Sequence, residues 1–156
     1  MNTQPQPIIV QPGAGKDLDF GLVGKSSVML SGEQTSGTLA VLLNTEVEAG
    51  GPPPHVHANE DELFLVIDGQ YSFFTKGRWT DVGVGGVVYF PKGTVHTYRH
   101  IGPGIGRLWI LTTPSGFERF FERYAAEVTN PAGPDMQRIV EISREHGIEY
   151  VAADQS

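Results

Sequence analysis

A chain of 156 residues is long enough for one domain with a real core, and 39% apolar with 19% charged residues is the composition of an ordinary folded protein. The formal net charge of -7 argues against a nucleic-acid or anionic-membrane partner, since both reward a basic face. The absence of cysteine excludes disulfides, thiolate metal sites and cysteine nucleophiles together, so any metal must be held by histidine and carboxylate.

Residues 1–16 are rich in Gln, Pro and Gly and read as an extended arm, with Pro7 to Val10 as a candidate edge strand. The arm has no basic stretch and only a three-residue apolar run, so it does not read as a signal peptide. No segment approaches the ~20 apolar residues of a membrane span. The expectation is a soluble, cytoplasmic protein.

Residues 17–113 read as a β domain. Short β-like runs at Ser26–Leu30, Gly37–Thr45, Glu62–Ile67, Gln70–Thr75, Val87–Phe90, Thr94–His100 and Arg107–Thr112 are separated by glycine-rich turns. Many short strands without intervening helices predict a sandwich or barrel. After Pro114 the pattern changes. Ser115 to Glu118 fits a capping box, and Phe117, Phe120, Phe121, Tyr124 and Val128 recur at helical spacing. Asp135 is placed to cap a second helix, with Met136, Ile139, Val140 and Ser143 on one face and Gly147 as its stop. Residues 114–156 therefore read as a helical extension packed on the barrel, its apolar faces serving packing rather than a site.

The chemistry sits in PPPHVHANEDELFLVIDG, residues 52–69, and GGVVYFPKGTVHTYRH, residues 85–100. Residues two apart on a strand share a face, so His55 and His57 point one way. Glu62 opens the next strand, and His96 follows the Pro91-Lys-Gly93 turn, with Tyr98 and His100 on its own face. Three imidazoles and a carboxylate gathered inside a barrel suit a divalent transition metal, and ligand type leaves Fe, Mn, Ni, Co, Cu and Zn all open. Such groups are costly to bury in an apolar interior without an ion or water to satisfy them. Asn59, Glu60 and Asp61 read as an exposed turn between ligands.

These residues resemble the two cupin motifs, G-x5-H-x-H-x(3,4)-E-x6-G and G-x5-P-x-G-x2-H-x3-N. The first runs from His55 through His57 and Glu62 to Gly69, and the second from Gly85 through Pro91 and Gly93 to His96. Gly50 stands one residue too close to His55, and His100 replaces the final asparagine. The resemblance implies an all-β fold, the cupin jelly-roll barrel, followed here by two short C-terminal helices. It implies His55, His57, Glu62 and His96 as metal ligands and a homodimer as the assembly. The HVHANEDE start and the GFERFF segment are most similar to single-barrel, quercetinase-like cupins. In that group the glutamate is both ligand and base, which assigns the catalytic role to Glu62.

Phe64, Val66, Tyr71, Phe73, Tyr89, Tyr98, His100 and Trp109 are candidates to line the pocket, and their character favours a flat, apolar organic substrate. Arg99 alternates away from His96, while Lys76 and Arg78 are placed in a turn, which counts against anionic substrates. The leading expectation is a metal-dependent dioxygenase, an oxidoreductase acting on a phenolic or enolisable small molecule. The alternatives are a non-redox isomerase or lyase, and a barrel that binds a small molecule without catalysis.

Overall fold

The alternating runs pair into two antiparallel sheets that face each other as a jelly roll, with the apolar side of each turned inward. The computed structural model describes residues 6–152. The strands are β1 (Lys16–Asp19), β2 (Gly24–Leu30), β3 (Ala40–Glu46), β4 (His55–His57), β5 (Asp61–Asp68), β6 (Tyr71–Thr75), β7 (Arg78–Val82), β8 (Val87–Phe90), β9 (His96–His100), β10 (Gly106–Thr113) and β11 (Ile148–Tyr150). The helices α1 (Phe117–Val128) and α2 (Met136–Glu145) lie between β10 and β11. One sheet has the order β1-β2-β3-β10-β5-β8 and the other β11-β4-β9-β6-β7.

Register explains the core. Ile110 of β10 stands opposite both Leu42 and Phe64, and Leu108 opposite Asn44 and Val66. Across the interior, Phe73 of β6 pairs with Tyr98 of β9. Phe64 touches rings from both sheets, with centroids 5.4 Å from Phe73 and 5.5 Å from Tyr98. Leu63, Leu65 and Ile67 alternate to the outer face of β5, where they are half-buried rather than bare.

Several boundaries differ from the sequence expectation. Residues 7–10 form no strand; the first strand is Lys16–Asp19, paired with β2, and residues 1–5 of the expected arm lie outside the described residues. Arg78 is not in a turn but opens β7, which pairs with β6. That strand has no buried residue and hence no apolar alternation to betray it. The segment after Pro114 holds a strand as well as helices: β11 pairs with β4, the strand that carries His55 and His57.

The helices follow their caps. Asp135 accepts hydrogen bonds from the amides of Gln137 and Arg138, and Gly147 takes the left-handed conformation (φ +74°) just past the end of α2. Ile139, Ile142 and Ser143 are the buried face of α2, while Met136 is exposed. At α1 the cap is not Ser115. Gly116 holds the N-cap position without a side-chain bond, and Glu118 does the work expected of the box from the other side. Its Oε2 accepts from the Gly116 amide at 2.7 Å, and its Oε1 accepts from the Gly32 amide at 2.8 Å. The same carboxylate therefore starts α1 and ties it to the loop between β2 and β3. No helix among the described residues is long and apolar enough to cross a membrane.

Candidate metal centre

Three strands bring the ligand set together. β4 presents His55 and His57 inward, β9 presents His96 directly opposite His55, and Glu62 enters from the start of β5 in the facing sheet. One ligand atom from each of His55, His57, Glu62 and His96 lies within 4.8 Å of every other, and all four residues are buried.

Each imidazole is turned by a hydrogen bond at its far nitrogen. Nδ1 of His55 faces the Pro53 carbonyl at 2.8 Å, Nδ1 of His96 faces the Thr94 carbonyl at 2.9 Å, and Nδ1 of His57 faces Glu60 Oε2 at 3.4 Å. Carbonyl and carboxylate oxygens accept, so each Nδ1 carries a proton, and Nε2 is the nitrogen each ring turns toward the interior. His96 Nε2 lies 2.7 Å and His57 Nε2 3.3 Å from Glu62 Oε2. His57 Nε2 has no hydrogen-bond partner, a cost that a metal ion would remove. Rings of Phe90 and Phe117 pack against His96 and His57 at 4.3 and 5.0 Å between centroids.

The electrostatics suit a ligand set. Burial, followed by the neighbouring His96 and His57, pushes the His55 imidazolium down to about 4, so His55 is neutral at physiological pH. Burial alone would raise Glu62. The His96 hydrogen bond, followed by the nearby His57 and His96 imidazoles, outweighs it and holds the carboxyl below its usual range. Three neutral-capable nitrogens and one carboxylate oxygen, each steered from behind, fit a divalent transition metal, and nothing in the donor set selects one.

A cavity of about 240 Å³ reaches this cluster, with His55 and His57 in its wall. Its lining is mostly apolar, with the rings of Phe117, Phe120, Phe121 and Tyr124 from α1 and of Tyr98 and Tyr150 from β9 and β11, and Lys25, Glu46 and Glu48 are its charged members. Of the expected pocket residues only Tyr98 lines it. Phe64, Tyr71 and Phe73 point inward but fill the core beneath, and His100 is buried against Tyr71, with its Nδ1 facing the Glu48 carbonyl at 3.3 Å. Trp109 is on the outer face of β10, because the buried residues of that strand are Gly106, Leu108, Ile110 and Thr112. Tyr89 is 54% exposed on β8.

Other residues escaped the sequence reading. Glu60 is not in an exposed turn; it is 4% exposed and sits behind His57. Asn44 and Glu46 share the inward parity of Leu42 on β3, a signal that was available, and both line the cavity. The α1 aromatics, expected to serve packing alone, also wall the site. Glu46 Oε1 accepts from the Tyr98 hydroxyl at 3.1 Å, and Asn44 Nδ2 donates to the same hydroxyl at 3.1 Å. Burial raises the Glu46 carboxyl above its usual range, offset in part by the Tyr71 and Tyr98 hydroxyls and by His100.

Residues 42–112 match the cupin domain family. Quercetin 2,3-dioxygenase of Bacillus subtilis (strain 168) is 30% identical over 111 residues, 63% of this chain and 32% of that protein, so the chain spans about a third of this relative's length. Among solved structures, KdgF from Halomonas sp. is similar with a TM-score of 0.63 at 14% identity, over 72% of this chain and 99% of KdgF. The polyketide cyclase RemF from Streptomyces resistomycificus reaches 0.59 at 17% identity, over 70% of this chain and 81% of RemF. At these identities the two structures speak to the fold alone.

Proposed function

The chain carries a cupin domain with a buried three-histidine, one-glutamate cluster, and on that premise we propose that it is a metal-dependent dioxygenase of a phenolic or enolisable aromatic substrate. The observation that supports this reading is the junction of an aromatic-walled cavity with steered imidazoles at His55 and His57. The walls suit a flat ring system, and the similarity to a quercetin dioxygenase points the same way.

His55, His57, Glu62 and His96 hold the ion in this reading. When bound, a divalent metal supplies Lewis acidity toward the substrate oxygens and fixes their orientation. The chain's own residues do the rest. Glu62, kept anionic by its histidine neighbours, is the acceptor for the proton of the substrate hydroxyl. Phe117, Phe120 and Phe121 keep water from the reacting ring. Dioxygen is the oxidant, and both of its atoms enter the oxidised product.

The test begins with metal analysis of protein purified without added metal or chelator, on wild type and on His57→Ala. About one transition-metal ion per chain, lost in the variant, is expected. Oxygen uptake with a flavonol follows, and Glu62→Gln should abolish it. A protein that holds its metal but consumes no oxygen with any flavonol is a non-redox isomerase or lyase. One that takes up no metal is a binding barrel.

A further inference from the structure

The far end of the cavity from the ligand cluster is built with unused hydrogen-bonding capacity. Glu62 stands opposite Thr112, which stands opposite Ala40, and Glu46 lies six residues further along β3. On the facing sheet, Tyr98, whose hydroxyl meets Glu46, stands two residues from His96 along β9, about 7 Å of strand at ~3.3 Å per residue.

At the Glu46 end, Tyr98 uses its hydroxyl twice: it donates to Glu46 Oε1 and accepts from Asn44 Nδ2. This leaves Asn44 Oδ1 and Glu46 Oε2 buried without a hydrogen-bond partner, and the nearby Tyr71 hydroxyl is buried without one as well. Asn44, Tyr98 and the adjacent Tyr71 are each more than nine-tenths buried, so the cluster is set into the wall rather than loose on a surface. Space is made for it. Gly106 is the register partner of Glu46, and a Cβ there would come within 2.5 Å of the Tyr71 hydroxyl and 2.7 Å of the His100 ring. Unsatisfied buried acceptors are expensive, and a polar pair retained in a mostly apolar wall calls for a partner. Two free acceptors beside a hydroxyl are complementary to a group that donates as well as accepts, whereas a ligand carboxylate or phosphate would meet lone pairs there.

We propose that Asn44, Glu46 and Tyr98 form a subsite that takes a neutral hydroxyl on the part of an aromatic ligand pointing away from His55 and His57. The subsite rests on the reading of the cavity as an aromatic-substrate site and adds its specificity. A hydroxylated ring is held at both ends, at the ligand cluster and at Glu46. A ring bare at its distal end leaves the two acceptors unsatisfied and binds less well.

Binding rather than turnover tests this. Full-length protein loaded with its metal is titrated calorimetrically under anaerobic conditions with two probes: unsubstituted flavonol, and the analogue with two adjacent hydroxyls on its distal phenyl ring. The wild type should bind the hydroxylated probe at least about tenfold more tightly. Glu46→Gln should shrink that preference to about threefold or less. Equal affinity of the wild type for the two probes overturns the subsite and leaves the aromatic reading standing. So does a preference that survives Glu46→Gln. Binding of neither probe overturns both together. Should Glu46→Gln not fold, the wild-type comparison decides, with Tyr98→Phe as the second variant.

Discussion

Among the described residues, Glu60 is the side chain that hydrogen-bonds the far nitrogen of a candidate ligand. His55 and His96 are steered by backbone carbonyls of Pro53 and Thr94, which no substitution removes, whereas His57 is steered by a carboxylate. Groups that orient a metal-bound histidine typically carry 10–100-fold of metal affinity. The Nδ1 to Oε2 contact is long at 3.4 Å, which places Glu60→Ala near the lower limit, about tenfold or roughly 1.4 kcal/mol. A metal present at about a hundred times its dissociation constant stabilises the fold by about 2.7 kcal/mol, of which the variant forfeits about half. For a chain of this size the metal-dependent rise in Tm should then be smaller by about 3–6 °C. Glu60→Gln keeps an acceptor oxygen and should fall between wild type and alanine. Chelator competition gives the affinity directly, and melting curves with and without metal separate lost ligation from lost packing. Wild-type metal affinity in Glu60→Ala, with the apo form still folded, would falsify the assignment of Glu60 to His57.

Two further predictions concern the frame. Glu118→Ala removes two hydrogen bonds to a buried carboxylate and strands the Gly32 and Gly116 amides, so chemical denaturation should show a loss of about 3 kcal/mol. A change below about 1 kcal/mol would sever the link drawn between α1 and the β2–β3 loop. Glu46 has a folded-state pKa raised above its unfolded value, so the native state binds its proton more tightly. Stability from this group is then greatest at low pH and is lost as pH rises from about 4.5 through the folded value. Glu46→Gln, which carries no charge, should gain in Tm over wild type between pH 4 and pH 7 in chelator-treated protein. A difference that narrows over that range contradicts the direction of the shift.

How far the sequence could be read depended on what decided each position. The barrel and the gathering of His55, His57, Glu62 and His96 were legible because strand parity and motif spacing are local, and local patterns survive in one dimension. Trp109 was placed on the wrong face although its parity with Leu108 and Ile110 was there to be counted. Phe64, Tyr71 and Phe73 had the right parity, but parity tells only which side a residue faces. Whether it fills the core or lines a cavity depends on which strand lies opposite, and that is a tertiary fact. Glu60 was hidden because charged residues in a turn are ordinarily solvated, and only the crossing of the β4–β5 turn under α1 and α2 buries this one. β7 and β11 carry too few buried side chains to signal a strand at all.

The pairing of β11 with β4 has a consequence for how the protein comes into being. The strand that carries His55 and His57 meets β9 at a single position, His55 opposite His96, and its other edge is covered only by Ile148–Tyr150. On the order of ninety residues separate the two strands, a long loop to close before that pairing repays its entropy. During synthesis the histidines leave the ribosome early and wait for their neighbour, which is made after both helices. A nascent chain stopped short of residue 148 has its imidazoles but not the strand that aligns them. The alignment of the two candidate ligands on β4 therefore waits until residues 148–150 have been made.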